Sequence, residues 1–225
     1  MKLSTKTISI LKSFTTINQG LHFKKGNILT TVHPQKVIMG QAIIEDNLPQ
    51  DFTIYNLNSF LGVLNLLKDP ELEFKQDRVV IKNGNVSVNY GFADPSSVKE
   101  APDKEIKLKP DVKFEISAEQ LDSVLRASAV MQLSHLKIEG NGSKIKLVAF
   151  DPKDPSANSY TIDTKETTDK NFSFLFKLED VQILPGSYEV GVTITQANAK
   201  AGHFKCKELP IQYWVTLQKD SVLTN

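Results

Sequence analysis

The feature that most constrains the fold is an internal repeat, because the same order of predicted elements occurs twice along the chain. Each copy has an amphipathic helix, strands joined by tight turns, a shorter helix and two or three closing strands. Ser4 and Ser117 hold equivalent positions, as do Phe52 and Phe172, and the longer second spacing reflects a polar loop at 151–159. The repeat predicts two similar α+β domains, with mostly antiparallel sheets and paired helices on one face.

The two long helices carry recognisable start signals. Ser4 and Ser117 are favoured N-cap residues, and Gln120 completes a capping box with Ser117. Asn56 is predicted to cap the shorter helix LNSFLGVLNLL, and LEDVQIL is predicted to be its counterpart in the second copy. The expected buried stripes are Thr7, Ile10, Leu11, Phe14 and Ile17, then Leu57, Phe60, Leu61 and Leu64, then Leu121, Val124, Leu125 and Ser128.

A segment rich in Pro and charged residues separates the copies, and this pattern is typical of a linker. The predicted organisation is therefore a first domain at 1–94, a linker at 95–111 and a second domain at 112–225. The chain is 40% hydrophobic with a formal net charge of +1, which is ordinary for a globular protein and excludes a disordered tail. The single cysteine, Cys206, excludes an internal disulfide and fits a reducing compartment.

Charge is distributed unevenly near the N-terminus. Residues 1–44 contain six lysines and no Asp or Glu, and the first acid is Glu45. The outward faces of the long helices carry small polar residues, which Thr5, Ser9, Ser13 and Thr16 exemplify in the first helix. Two interpretations remain open at this point: an ordinary solvated surface, or a smooth face that meets a polyanion without reading bases.

Motifs for catalysis or cofactor binding are absent from the sequence. It contains no HExxH, GxGxxG, P-loop or GxSxG pattern. The pair His203 and Cys206 resembles half of a metal site without a second half, and the 151–155 segment lacks the alternating oxygen ligands of a calcium loop. We therefore expect no catalysis, no cofactor and no metal. No apolar run approaches the length that crosses a bilayer, so no membrane partner is expected.

Several segments resemble the sliding clamps of T-even-type bacteriophages, which have the DNA-clamp fold. The segments are MKLSTKTISILKSFTTINQG, IYNLNSFLGVLNL, ADPSSV, AEQLDSVLRAS and LPGSYEV, and they occur in the family's order over essentially the whole chain. The resemblance implies two clamp domains per chain, with sheets outside and helices inside, in a closed ring of three copies. It also implies a non-catalytic processivity factor in the cytoplasm of the infected host.

The resemblance also implies partners and site residues. The implied partners are two further copies of the chain, duplex DNA of any sequence, the phage DNA polymerase, an ATP-driven clamp loader and, as a second role, the late transcription machinery. The DNA-facing cations would be Lys2, Lys6, Lys12, Lys68, Arg126 and Lys177. The subunit interface would pair Val86, Val88 and Tyr90 with Tyr160 and Ile162, and the partner pocket would use Val98, Ile106, Leu108 and Leu217. Glu119, Glu179 and Asp180 depart from a uniformly basic inner face.

Two other functions fit parts of the sequence. A β-rich structural virion protein would also account for the duplication and the linker, although it gives no reason for the acid-free N-terminal stretch. A hydrolase with a scattered site would need catalytic residues that only the tertiary structure brings together.

Overall fold

The computed structural model describes residues 1–102, 106, 108–153, 158–195 and 200–224. Contacts within the chain divide it into two compact units, Met1–Lys104 and Glu105–Asn225. The division falls inside the segment that the sequence predicts to be a linker.

The N-terminal unit contains two helices and three small groups of antiparallel strands. Strand β1 pairs with β4, β2 pairs with β3, and β5, β6 and β7 form a three-stranded sheet in that order. Its elements are α1 (Thr5–Ile17), β1 (Leu21–Phe23), β2 (Gly26–Val32), β3 (Ile38–Leu48), β4 (Phe52–Ile54), α2 (Leu57–Leu66), β5 (Glu71–Phe74), β6 (Arg78–Asn83) and β7 (Val86–Gly91), followed by a 3₁₀ turn at Pro95–Ser97.

Local sequence signals account for where α1 and α2 begin. The Ser4 hydroxyl accepts a hydrogen bond from the Thr7 amide at 3.1 Å, and the Asn56 side chain accepts one from the Ser59 amide at 2.9 Å. The apolar stripes of both helices are buried as predicted, and α1 packs against α2 and β3. A Cβ on Gly40 of β3 would lie 2.9 Å from the Phe14 ring, so this glycine allows the close approach of α1.

The described residues of the C-terminal unit form one α-helix and two antiparallel sheets. One sheet has the order β11-β10-β9-β12-β16, and β8, β13, β14 and β15 are neighbours in the other. Its elements are β8 (Val112–Ile116), α3 (Ala118–Met131), β9 (His135–Asn141), β10 (Lys144–Phe150), β11 (Tyr160–Thr167), β12 (Asn171–Lys177), a 3₁₀ turn at Leu178–Asp180, β13 (Tyr188–Thr193), β14 (Ala201–Cys206), β15 (Ile211–Thr216) and β16 (Val222–Thr224).

The helix predicted at LEDVQIL is wrong, because only Leu178–Asp180 is helical and it forms a single 3₁₀ turn. Lys177 occupies the N-cap position without a side-chain cap, and the segment soon reaches Pro185 and Gly186. An uncapped segment this short cannot offset the cost of helix nucleation. A full pair of α-helices is therefore present in the N-terminal unit, whereas the C-terminal unit has one helix and a turn.

Three smaller expectations also need correction. Strands β8 and β16 form at segments for which the sequence analysis gave no strand. Ser13, predicted on the outward face of α1, is buried with the apolar stripe. The Asn83-Gly84 dipeptide predicts a two-residue hairpin turn between β6 and β7. The turn is instead formed by Gly84 and Asn85, since Asn83 already pairs with Val86.

Candidate nucleic-acid and subunit interfaces

The exposed face of α1 combines small hydroxyl side chains with two lysines. Lys6 and Lys12 are both exposed, and α1 contains no acidic residue. Helix α2 carries no charge at all along its ten residues. The helical face of the N-terminal unit is therefore polar and positive, and it offers no crowded array of donors for reading bases.

Two of the predicted DNA-facing lysines in the N-terminal unit already have acidic partners. Lys2 pairs with Asp69 and lies 3.9 Å from a carboxylate oxygen of Glu71, and the hydrogen bond to Asp69 raises the pKa of Lys2. Lys6 lies 2.6 Å from a carboxylate oxygen of Glu45. Because all these groups are exposed, the pairs are weakly held and a phosphate can compete for the lysines.

Lys12 and Lys68 differ from Lys2 and Lys6 in their ion pairing. Both are exposed, and neither forms an ion pair with any carboxylate in the described part of the chain. Their ammonium groups are therefore available to an anion without breaking an existing contact.

The two predicted DNA-facing cations of the C-terminal unit also form ion pairs with neighbouring acids. On α3, Nε of Arg126 lies 2.9 Å from Oδ1 of Asp122, four residues earlier. Nζ of Lys177 lies 3.5 Å from Oε1 of Glu179. Glu119 adds a further acid to the first turn of α3, so this helix has one arginine against two carboxylates.

The two predicted interface strands are both edge strands of their sheets. Strand β7 is terminal in the three-stranded sheet, and β11 is terminal in the five-stranded sheet. The amide of Phe92 donates to the Asp77 carbonyl at 2.9 Å, so these two residues form a hydrogen-bonded pair. Hydrogen-bonded and non-hydrogen-bonded pairs alternate from there along the β6–β7 hairpin. By that alternation the backbone groups of Ser87 and Asn89 point away from β6 and remain open for another strand.

The tyrosines of these strands point inward and bind helices of their own unit. The Tyr90 hydroxyl donates to the carbonyl of Asn56, the N-cap of α2, at 3.1 Å, and its ring contacts Phe60 edge-on at a centroid distance of 5.3 Å. The Tyr160 hydroxyl lies 2.7 Å from Oγ of Ser123 on α3. The sequence analysis did not predict that these tyrosines attach the edge strands to helices. The available signal was a tyrosine in both strands, because a buried tyrosine hydroxyl usually has a hydrogen-bond partner, whereas phenylalanine would fill the same space without one.

The four predicted pocket residues are divided between the two units, with Val98 in the N-terminal unit and the other three in the C-terminal unit. Val98 is buried in the N-terminal unit, where its Cγ2 would lie 2.6 Å from a Cβ on Gly20, and Leu217 is buried in the C-terminal unit. Leu108 lines a cleft of the C-terminal unit, and Ile106 is partly exposed. A contact of these residues with a partner stays a prediction.

The cleft that contains Leu108 has a volume of about 490 Å³ and lies over β8, β13 and β14. Its apolar end is formed by Leu108 and Pro110, and a Cβ on Gly191 would lie 3.1 Å from Cβ of Pro110. Lysines and glutamates of the three strands form its charged end. The sequence analysis did not place His203 here, because that placement depends on the pairing of β14 with β13.

His203 is held by two contacts at the floor of this cleft. Its ring stacks on Trp214 at a centroid distance of 4.8 Å, and its Nε2 lies 2.8 Å from Oε1 of Gln212. Burial lowers the pKa of His203, while the hydrogen bond to Gln212 raises it and Lys205 lowers it further. The net effect keeps the ring neutral near physiological pH.

The described ranges contain no group of three or more His, Cys, Asp or Glu side chains that could hold a metal ion. None of the described helices is long and apolar enough to cross a membrane.

Sequence profiles of two families match the chain. The profile for DNA polymerase processivity factors matches residues 2–98, and the profile for the C-terminal part of the gp45 sliding clamp matches residues 113–219. The sliding clamp of Vibrio phage KVP40 is 33% identical over 85% of this chain and 90% of its own length. The sliding clamp of Enterobacteria phage T4 is 32% identical over 98% of both chains.

Solved structures show the same fold at low sequence identity. PCNA of A. fulgidus, solved with the C-terminal region of FEN-1 bound, superimposes with a TM-score of 0.69 at 12% identity over 96% of both chains. The sliding clamp of Bartonella birtlesii, a DNA polymerase III β subunit, gives a TM-score of 0.71 at 15% identity over 97% of this chain and 65% of its own. The chain belongs to the bacteriophage sliding clamps, the processivity factors of phage DNA polymerases.

Proposed function

We propose that three copies of this chain close into a ring around duplex DNA and hold the phage replicative polymerase on its template. The ring performs no chemistry itself. An ATP-driven loader opens and places it, and the late transcription machinery is a further partner. The site of action is the cytoplasm of the infected bacterium. Membership of the sliding clamp family supports the proposal, as does the clamp fold that the chain shares with PCNA and the bacterial β subunit.

Encirclement solves a physical problem that contact affinity cannot. Non-specific binding to phosphates has a Kd of about 10⁻⁴ to 10⁻⁶ M at physiological salt, and it weakens steeply as salt rises. A polymerase held only by such contacts would dissociate quickly, whereas a closed ring leaves DNA only when an interface opens or when the ring reaches a free DNA end. The polar, mildly positive face of α1 and α2 suits a surface that slides along phosphates without binding tightly.

The observation that carries the proposal is the pair of open edge strands, one in each unit. Strand β7 has no charged residue, Val86 is about half exposed, and the edge lacks the lysines or prolines that usually protect an open strand. Strand β11 lies at the sheet edge of the other unit. Pairing β7 of one copy with β11 of the next is a head-to-tail contact, and such a contact closes a ring when its rotation fits.

We place the polymerase contact at the cleft lined by Leu108. An extended peptide tail with apolar anchors would set them against Leu108 and Pro110, and its polar groups would meet the lysines and glutamates beyond. Val98, Ile106 and Leu217 stay predicted partner residues that would act from outside this cleft.

Retention on circular DNA tests the proposal directly. The protein would be loaded on nicked circular DNA with a phage clamp loader and ATP, and the complex would be isolated by gel filtration. Cutting the circle with a restriction enzyme should release the protein, whereas an equal incubation without the enzyme should not. Light scattering should give about 75 kDa, three times the chain mass of 25.1 kDa. A monomer at working concentrations, or retention that survives cutting, would contradict the proposal.

A further inference from the structure

The helical faces of the two units differ in charge. Helices α1 and α2 carry two lysines and no acid, and Lys68 lies two residues after the end of α2. Helix α3 carries one arginine and two acids, and the short turn after Lys177 contains Glu179 and Asp180. The duplication therefore preserved the fold of the unit while its charge changed sign.

We propose that the N-terminal unit alone holds DNA phosphates, through Lys12 and Lys68, while the predicted DNA-facing cations of the C-terminal unit stay paired with neighbouring acids. The proposal rests on the proposed encirclement of DNA and adds which residues supply the contact. It also divides the six cations that the family resemblance implies to face DNA, among which Lys68 and Lys177, near helix ends, are the weaker candidates.

The difference between the two units follows from what each cation would lose on meeting a phosphate. Lys12 and Lys68 have no carboxylate partner within the described residues, so a phosphate adds a contact and removes none. Arg126 would have to leave Asp122, and the released carboxylate would stay near the phosphate and repel it. Lys177 faces the same obstacle from Glu179.

Lys2 and Lys6 are intermediate. Their acidic partners, Asp69, Glu71 and Glu45, come from outside α1 and are exposed, so the pairs restrain the lysines loosely. Near the start of α1 the acids match the lysines, and the unbalanced positive charge lies further along the helix, at Lys12.

A ring built this way would alternate sectors that attract phosphates with sectors that do not. Each phosphate contact makes the slope of log K against log salt more negative by about 0.9. A ring with few contacts therefore binds DNA weakly and with a shallow salt dependence. Weak holding in separate sectors suits sliding, because no phosphate is gripped from all sides.

Two double variants that remove equal charge test the proposal. Lys12→Gln with Lys68→Gln removes the unpaired lysines, and Arg126→Gln with Lys177→Gln removes the paired cations. Binding of a fluorescein-labelled 30-base-pair duplex to each ring would be followed by anisotropy over a series of KCl concentrations. The first variant should bind about tenfold more weakly at low salt, and the magnitude of its salt slope should fall by about 1 or more. The second should match the parent protein in both quantities.

A third variant tests the restraint on Arg126 by gain of binding. Asp122→Asn keeps the side-chain shape but frees the guanidinium, so the affinity and the salt slope should both rise. Since all five positions lie on the surface, light scattering should report an unchanged assembly.

The outcomes separate this inference from the function on which it rests. If the parent protein stays on nicked circles until they are cut, encirclement stands. Equal losses from the two double variants, or an Asp122→Asn protein that binds like the parent, would then overturn the division of contacts. If the parent protein is not retained on circles at all, the proposed function fails first.

Discussion

The hydroxyl of Tyr160 on β11 lies 2.7 Å from Oγ of Ser123 on α3, so the edge strand of the C-terminal unit is fastened to its helix. Helix α3 also packs against β11 and β10. Tyr90 on β7 makes the matching attachment in the N-terminal unit, to the N-cap of α2. In each unit, the strand that we propose to meet the next subunit is thus held by the helix that we propose to face DNA.

Removing the Tyr160 hydroxyl should weaken the C-terminal unit. Tyr160→Phe keeps the ring and loses the hydrogen bond, so we expect the free energy of unfolding to fall by about 1 kcal/mol. Urea unfolding at a concentration where the chain is monomeric would measure it. In a double-mutant cycle, Ser123→Ala should cost little once Tyr160→Phe is present. Fully additive losses would show that the two groups do not interact.

Gly140 on β9 should tolerate no side chain. A Cβ at this position would overlap the Phe172 ring, which stacks on Phe174 in the core. Gly140→Ala should destabilise the protein by about 1–3 kcal/mol through overpacking. Gly62→Ala on α2 is the matched control, because nothing lies within 4 Å of its added Cβ. There the higher helix propensity of alanine should stabilise by up to about 1 kcal/mol. Thermal unfolding should move the two melting temperatures in opposite directions, and a neutral Gly140→Ala would contradict this prediction.

Loss of one outward amide on β7 should weaken the ring without unfolding the chain. Asn89 pairs with Val80 at a position where its backbone groups point away from β6. Asn89→Pro removes that donor. In sedimentation velocity, the variant trimer should already dissociate at protein concentrations at which the parent protein stays assembled. Asn89→Ala keeps the amide and should assemble like the parent protein. A proline variant with unchanged assembly would place the interface elsewhere.

Acid should destabilise the C-terminal unit through His203. Burial lowers the pKa of this histidine more than its hydrogen bond to Gln212 raises it, whereas in the unfolded chain the pKa is about 6.5. The unfolded state therefore binds more protons, and the free energy of unfolding is full above about pH 6.5 and falls as the pH drops below it. Burial also lowers the pKa of His135, which acts in the same direction.

Urea unfolding at pH 7.5 and at pH 5.5 would measure this loss. His203→Gln removes one titrating group, and it should reduce the difference between the two pH values without abolishing it. An equal pH dependence in the parent and the His203→Gln protein would rule out a contribution from this ring.

Prediction from the sequence worked best where the signal is local. The caps at Ser4, Asn56 and Ser117 and the buried stripes of α1 and α2 are confirmed because capping and amphipathic spacing act within a few residues. The helix predicted at LEDVQIL failed by the same rule, since its apolar spacing was present and its cap was not. The fold class and the family are likewise confirmed.

The sequence by itself determined the duplication, the helix starts and the location of the cations along the chain, since each is written in consecutive residues. The tertiary structure decided which of those cations are already occupied, because Glu45 reaches Lys6 from 39 residues away and Asp69 reaches Lys2 from 67. It also decided which strands lie at sheet edges and which way their tyrosines point. Strand order and ion pairing join groups that are distant along the chain, and only the folded packing brings such groups within contact distance.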